Sequence, residues 1–360
     1  MPRGARPAVP RGGAGVKFRW TAGDLRLREP FRISRSVMHE RGAVTLEIEH
    51  DGVVGFGEVV TSVFYDLDVA RIEALLESNR DVIEGSSDPE RLLASLPDGP
   101  LAADAPGVLA AVDAALHDLV AKLRGVAVHE LVGAPRPERV PTARTIGITS
   151  LERSAETAES LAARGFELIK VKVGAEEQPE LERIAAIRRA APGARLLLDP
   201  NGAWQPEQAV RMLEAAHRHG VEAVEQPIPA GTPHLLAEVA RRSPVPVIAD
   251  EDAAGLDEVR ALGDSVRGVN VKLAKCGGIR AAMRIVEAAR DRGVEVMLGC
   301  LVASSLGIAP AVHLAGLARW VDLDGHLLLA HDPWTGIGGE DGVLRVVGQA
   351  GLCVRRAGET

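Results

Sequence analysis

The feature that most constrains this chain is a repeat in spacing rather than in residues. From about residue 140, short Val-, Ile- and Leu-rich runs alternate with amphipathic stretches of roughly ten to fifteen residues. The runs end near 146 (TIGIT), 172 (LIKVKV), 199 (RLLLD), 225 (AVEQ), 250 (VIAD), 272 (VNVK), 299 (VMLG) and 322 (WVDLD). Successive ends lie 26, 27, 26, 25, 22, 27 and 23 residues apart. A strand plus its crossover helix needs about that length, and eight such units predict a closed (β/α) barrel over 140–325. An open doubly wound sheet would call for a glycine-rich dinucleotide fingerprint, and none opens the series.

The residues before the barrel follow another pattern. VTLEIEHDGVVGFGEV is two alternating runs around Asp51-Gly52, a strong hairpin signal. Helical periodicity follows over 66–84 and 107–123, where Val112, Leu116, Leu119 and Leu123 share a face and Gly125 is a natural stop. Strands followed by helices predict a separate α+β domain over 16–135. Two strand-like pieces in the tail from 333 to 360, GVLRVV and GLCVRR, are expected to return to it. The first fifteen residues, MPRGARPAVPRGGAG, lack the apolar centre of a secretory signal and read as a disordered extension.

Composition narrows the function. Hydrophobic residues make up 46% of the 360, but aromatics only 3%, so aliphatic side chains must fill the core. The net charge of −8, with no basic block beyond the N-terminus, argues against nucleic acid as a partner. No apolar run reaches the roughly 18 residues of a membrane span. Three cysteines without a CxxC, Cys276, Cys300 and Cys353, suit a reduced, cytoplasmic setting. Cys276 and Cys300 follow strand ends that can be neighbours, and each reads as a buried small residue.

In a parallel barrel the strand C-termini face the active site. Strands three, four and five end in Asp199, Glu225 and Asp250. Each could cap the helix after it. Together, three converging carboxylates repel one another and call for a hard divalent cation, with Mg²⁺ the natural choice. No histidine stands at these ends, which weighs against zinc. Asn201 either hydrogen-bonds a ligand or shapes the DPNG turn. Lys170 and Lys172 share one face of strand two, and Lys272 ends strand six, on the far side of an eight-stranded ring. Lys172 and Lys272 could then remove and return a proton on opposite faces of one carbon, inverting it. Lys170 would add positive charge that favours the free amine of Lys172. Asp322 and Asp324 end strand eight, across the barrel from the acidic trio. They either hold a cationic group such as an α-ammonium or belong to a solvated turn.

IKVKVG, LLLDPNGAW, VEQPIP, IADED and NVKLAKCGGI, in that order, resemble the muconate-lactonizing subgroup of the enolase superfamily. The resemblance covers nearly the whole chain after residue 16, including ALHDLVAKLRGVAVHELVG. It implies an α+β capping domain on a (β/α)₇β TIM-type barrel. It makes Lys172 and Lys272 the acid/base pair and Asp199, Glu225 and Asp250 the Mg²⁺ ligands; such sites are a standing example of a lysine base working with Mg²⁺. WVDLDGHLLL is similar to the DxD motif of dipeptide epimerases, in which the aspartates hold the substrate's ammonium group. The implied reaction is inversion at the α-carbon of a dipeptide's C-terminal residue, through an enediolate, with L-Ala-D/L-Glu epimerisation the commonest case. Alternatives on the same lysines are a cycloisomerase, an o-succinylbenzoate synthase and an N-acylamino-acid racemase. A catalytically silent scaffold is the reading from a different class. Side-chain choice is expected from loops near 29–40 and 57–65, where Arg32 and Arg35 either pair an acidic substrate group or are surface charges. One departure stands out. The GxxxESS-like stretch reads GCLVASS, with Ala303 in place of the acid. The expected partner is a small-molecule carboxylate, and a homo-oligomer is compatible with all of this.

Overall fold

The computed structural model describes residues 15–34, 36–96, 99, 105–348 and 350–359. Residues 1–14 of the N-terminal extension, and Arg35, lie outside the described residues.

The chain opens with three antiparallel strands: β1 (Lys17–Ile33), β2 (Ser36–His50) and β3 (Val53–Val60). Asp51 and Gly52 join the last two with φ of 49° and 78°, the pair of left-handed residues that a tight two-residue hairpin needs. The helix Pro106–Arg124 lies across β3 and stops at Gly125, whose φ is 69°. Contact between helix and strand is close. A Cβ at Gly55 or Gly57 would come within 2.1 Å of the carbonyl oxygen of Ala115 or Ala111. Val108, Val112, Leu116 and Leu119 of the helix pack with Val44, Leu46 and Ile48 of β2 in a core of their own. The stretch expected as one helix over 66–84 is two, Val69–Ser78 and Arg80–Glu84, which meet at Asn79. A further short helix, Pro89–Ser95, is capped by Asp88, which accepts from the backbone N–H groups of Glu90 and Arg91.

Eight parallel strands then follow in chain order: Ala143–Ile146, Leu168–Lys172, Arg195–Asp199, Val221–Glu225, Val247–Ala249, Gly268–Val271, Glu295–Gly299 and Trp320–Asp322. They are barrel strands one to eight. Each ends within one residue of the position read from the spacing. Seven main helices connect them, Leu151–Ala163, Glu177–Ala190, Pro206–His217, Pro233–Arg242, Leu256–Leu262, Ile279–Arg290 and Ser305–Val312, with one extra turn of helix at Leu273–Cys276, a (β/α)₇β arrangement. Strand eight meets strand one through side chains. Leu323 N donates to Thr142 Oγ1 at 3.0 Å, and Thr145 N to Asp324 Oδ2 at 2.8 Å. Leu168, Leu197, Ile248, Met297 and Trp320 plug the interior, and the helices bury its outer face. No helix among the described residues is long and apolar enough to cross a membrane.

The two tail pieces take different routes. Val343–Leu344 pairs with Val140–Pro141, just before barrel strand one. The last stretch reaches the N-terminal unit: Leu352 N donates to Asp118 Oδ1 on the long helix, and Arg356 pairs with Glu47 of β2 at 2.6 Å.

Candidate active site

Lys170 stands at the centre of the barrel mouth. It is only 2% exposed. Its Nζ lies 2.9 Å from Asp199 Oδ2, 2.5 Å from Glu225 Oε2 and 2.7 Å from Asp322 Oδ2. Asn270 Nδ2 donates to Glu225 Oε1 at 2.7 Å. Lys170, Glu225, Asn270 and Asp322 come from strands two, four, six and eight, and alternate strands fill one interior layer of such a barrel. The layer corrects one expectation. Asp322 does not stand apart from the acidic trio but shares the Lys170 ammonium with two of its members, because inward side chains of strands two and eight both reach the axis. Asp324 is also engaged. It accepts from Arg144 Nη1 at 2.9 Å and from the Thr145 backbone.

Lys172 donates to Asp199 Oδ2 at 2.5 Å and to Asn201 Oδ1 at 3.0 Å. Asn201 has a φ of 49°, and its N–H bonds back to Asp199 Oδ1. It therefore both shapes the turn and holds the lysine. Four strands away, Lys272 donates to Asp250 Oδ2 at 2.6 Å and lies 3.5 Å from Glu225 Oε1. Lys275, which the sequence did not single out, secures Asp250 from behind by a 2.6 Å bond to Oδ1. The two candidate proton carriers thus rest on different acids, from strands three and five.

Lysine ammonium groups stand between the trio. Among the described residues no group of three or more His, Cys, Asp and Glu side chains is gathered so as to hold a metal ion. Charges are nonetheless tightly linked. Burial opposes ionisation of Asp199, but the ammonium groups of Lys170, Lys172 and Lys272 outweigh it and hold that carboxyl below its ordinary range. Asp250 is held low against burial by Lys272 and Lys275. Glu225 goes the other way. Burial, then the charge of Asp199, push it up to about 7. Its buried Oε2 pairs with the Lys170 ammonium and, among the described residues, has no hydrogen-bond partner. Lys170 is desolvated, yet its three carboxylate neighbours raise it well above the ordinary lysine value.

Above these groups lies a cavity of about 420 Å³, within the size range of small-molecule sites. Lys170, Lys172, Lys272, Asp250, Asp322 and Asp324 line its floor. Phe31, Ile33, Met38 and Arg41 wall it from the first N-terminal segment, and Ser62, Val63 and Tyr65 from the second. Arg32 is a correction. It is exposed and lines a separate depression with Arg28 and Glu29. The segment is a strand hairpin, with Phe31 opposite Met38 and Ile33 opposite Ser36, so alternation turns Phe31 and Ile33 inward and Arg32 outward. Arg41 was missed because it stands beyond the turn residues that drew attention. Ala303 is buried. A carboxylate does stand nearby: Glu58 of β3 accepts from Ser304 N at 2.8 Å, and its Oε1 and the Ala303 methyl both crowd Gly307. Cys276 and Cys300 are free thiols, each pushed up by burial.

Residues 17–133 match the family model for the N-terminal domain of mandelate racemase / muconate lactonizing enzyme, and residues 153–352 match the enolase C-terminal domain-like model. A hydrophobic dipeptide epimerase of Roseobacter litoralis is 36% identical, over 91% of this chain and 95% of the relative. The dipeptide epimerase of Enterococcus faecalis V583, complexed with Mg and L-Leu-L-Tyr, superposes with a TM-score of 0.89 at 29% identity, covering 95% of this chain and 100% of that one. A substrate-liganded L-Ala-D/L-Glu epimerase of Bacillus subtilis gives a TM-score of 0.90 at 27% identity, covering 96% and 99%. Matched from the N-terminal sheet to the last barrel strand, the chain belongs to the enolase superfamily, with both domains of its mandelate racemase and muconate lactonizing branch.

Proposed function

We propose that this protein is a dipeptide epimerase, an isomerase that inverts the α-carbon of a dipeptide's C-terminal residue. One observation carries the reading: Lys172 and Lys272 project from strands four apart in an eight-stranded ring, each anchored on a different acid. A carbon held between them presents one face to each amine. One lysine takes the α-proton and the other delivers a proton to the opposite face, which inverts the centre. Lys170 shares Asp199 Oδ2 with Lys172. With three carboxylates around it, it serves as a fixed positive charge that keeps the acids in place.

The donors suit Mg²⁺. Asp199, Glu225 and Asp250 offer only hard oxygen atoms, and the buried Glu225 Oε2, which has the Lys170 ion pair but no hydrogen bond among the described residues, is an atom that a second cation could share. When bound, such an ion supplies positive charge beside the substrate carboxylate, where negative charge grows as the proton leaves. Asp322 and Asp324, on the cavity floor, are the groups for the free ammonium of the dipeptide. Among the described residues Asp322 Oδ1 has only a long 3.4 Å contact from Thr145 Oγ1, so it can accept a further donor.

The test is incubation with a dipeptide library in deuterium oxide containing Mg²⁺. A one-mass-unit gain at the C-terminal α-carbon and a new diastereomer are expected. Neither change across a broad library would rule the reading out.

A further inference from the structure

Arg41 is a half-buried cation that nothing in the proposed mechanism uses. It lies on β2 opposite Leu25 and lines the same cavity as the three lysines. Its Nη1 is fully enclosed and has no hydrogen-bond partner among the described residues. The acids among the described residues that share the cavity are all engaged elsewhere: Asp250 by Lys272 and Lys275, Asp322 by Lys170, Asp324 by Arg144, and Glu251 by an interaction of its own. The neighbouring Cys300 thiol offers no counter-charge, because burial and the nearby Asp322 and Asp324 push its ionisation far up. Burial lowers Arg41 to about 10, which leaves it charged at neutral pH. A guanidinium is rarely buried without an anion to pair with. Phe31, Ile33, Met38, Leu301 and Leu328 supply the apolar part of the cavity lining.

We infer that Arg41 is the specificity determinant of this cavity and that it pairs with a side-chain carboxylate of the dipeptide. Apolar side chains beside the one arginine that lines the cavity among the described residues match an acidic group on a methylene stem, as in glutamate. A planar guanidinium holds a carboxylate through two parallel hydrogen bonds, which an amide of the same shape cannot match. The inference rests on the epimerase reading and adds the substrate class.

The experiment compares kcat/KM for Ala-Glu with Ala-Gln, Glu-Ala with Gln-Ala, and Ala-Leu, each with Mg²⁺. For one acidic position, the parent should prefer the carboxylate over its amide by about 100-fold. Arg41→Met should shrink that preference to within about threefold, and Arg41→Lys, which keeps the charge, should retain more than about tenfold. Retention in the lysine variant separates loss of charge from misfolding. Equal turnover of acid and amide by the parent, or an equal fall on every dipeptide in Arg41→Met, would overturn the inference and leave the epimerase reading standing. Turnover of no dipeptide by the parent would overturn that reading, and this one with it.

Discussion

Lys170 faces three carboxylates with one charge, so its removal strips Asp322 of its ion pair and weakens the compensation of Asp199 and Glu225. Breaking a buried ionic cluster from one side costs about 3–5 kcal/mol. Lys170→Met should lose stability on that scale in chemical denaturation, as well as activity. A change below about 1 kcal/mol would show that the acids accommodate without it. Asp322 and Asp324 make a prediction about substrate. Acetylating the amine of an accepted dipeptide should lower kcat/KM about 30-fold, the worth of one charge-assisted hydrogen bond of about 2 kcal/mol. Equal rates for both forms would remove these aspartates from substrate recognition. Individual residues were unevenly legible in the sequence. Lys172, Lys272 and the trio declare themselves as charges at the ends of apolar strands. Arg144, Asn270 and Lys275 do not, because their importance lies in which neighbour they reach, and that depends on the barrel closing.

Whole elements were more legible, for a physical reason. A parallel strand buried on both faces must be an apolar run, and its crossover has a minimum length, so the eight ends could be read to within one residue. The N-terminal hairpin of β1 and β2 was harder. Its polar turn resembles any loop, and without the strand register Arg32 could not be turned outward. β3 supplies a prediction of its own through Glu58, which burial pushes up to about 7 and which docks on Ser304, the cap of helix Ser305–Val312. The folded chain therefore retains a proton that the unfolded chain releases near 4.5. Stability from this group is full below about pH 4.5 and declines as pH rises towards 7, by up to about 3 kcal/mol. Glu58→Gln should flatten that slope in denaturation curves taken between those pH values. An unchanged slope would assign it to other groups.

At the scale of the molecule, the acidic trio joins three strands around one ring, so a cation held there should stabilise the whole barrel. A ligand at a hundredfold excess over its Kd adds about 2.7 kcal/mol. Millimolar Mg²⁺ should raise the thermal midpoint by a few degrees relative to chelator, and Asp250→Asn should abolish the rise. Identical midpoints with Mg²⁺ and chelator in the parent would argue against ion binding. The central claim, that two amines flank one carbon, is tested most directly by following α-proton exchange in deuterium oxide for Lys172→Ala and Lys272→Ala, starting from each diastereomer of an accepted dipeptide. Each variant should lose interconversion while still exchanging the proton of one diastereomer, and the two variants should retain opposite ones. Exchange of the same diastereomer by both, or continued interconversion by either, would contradict it.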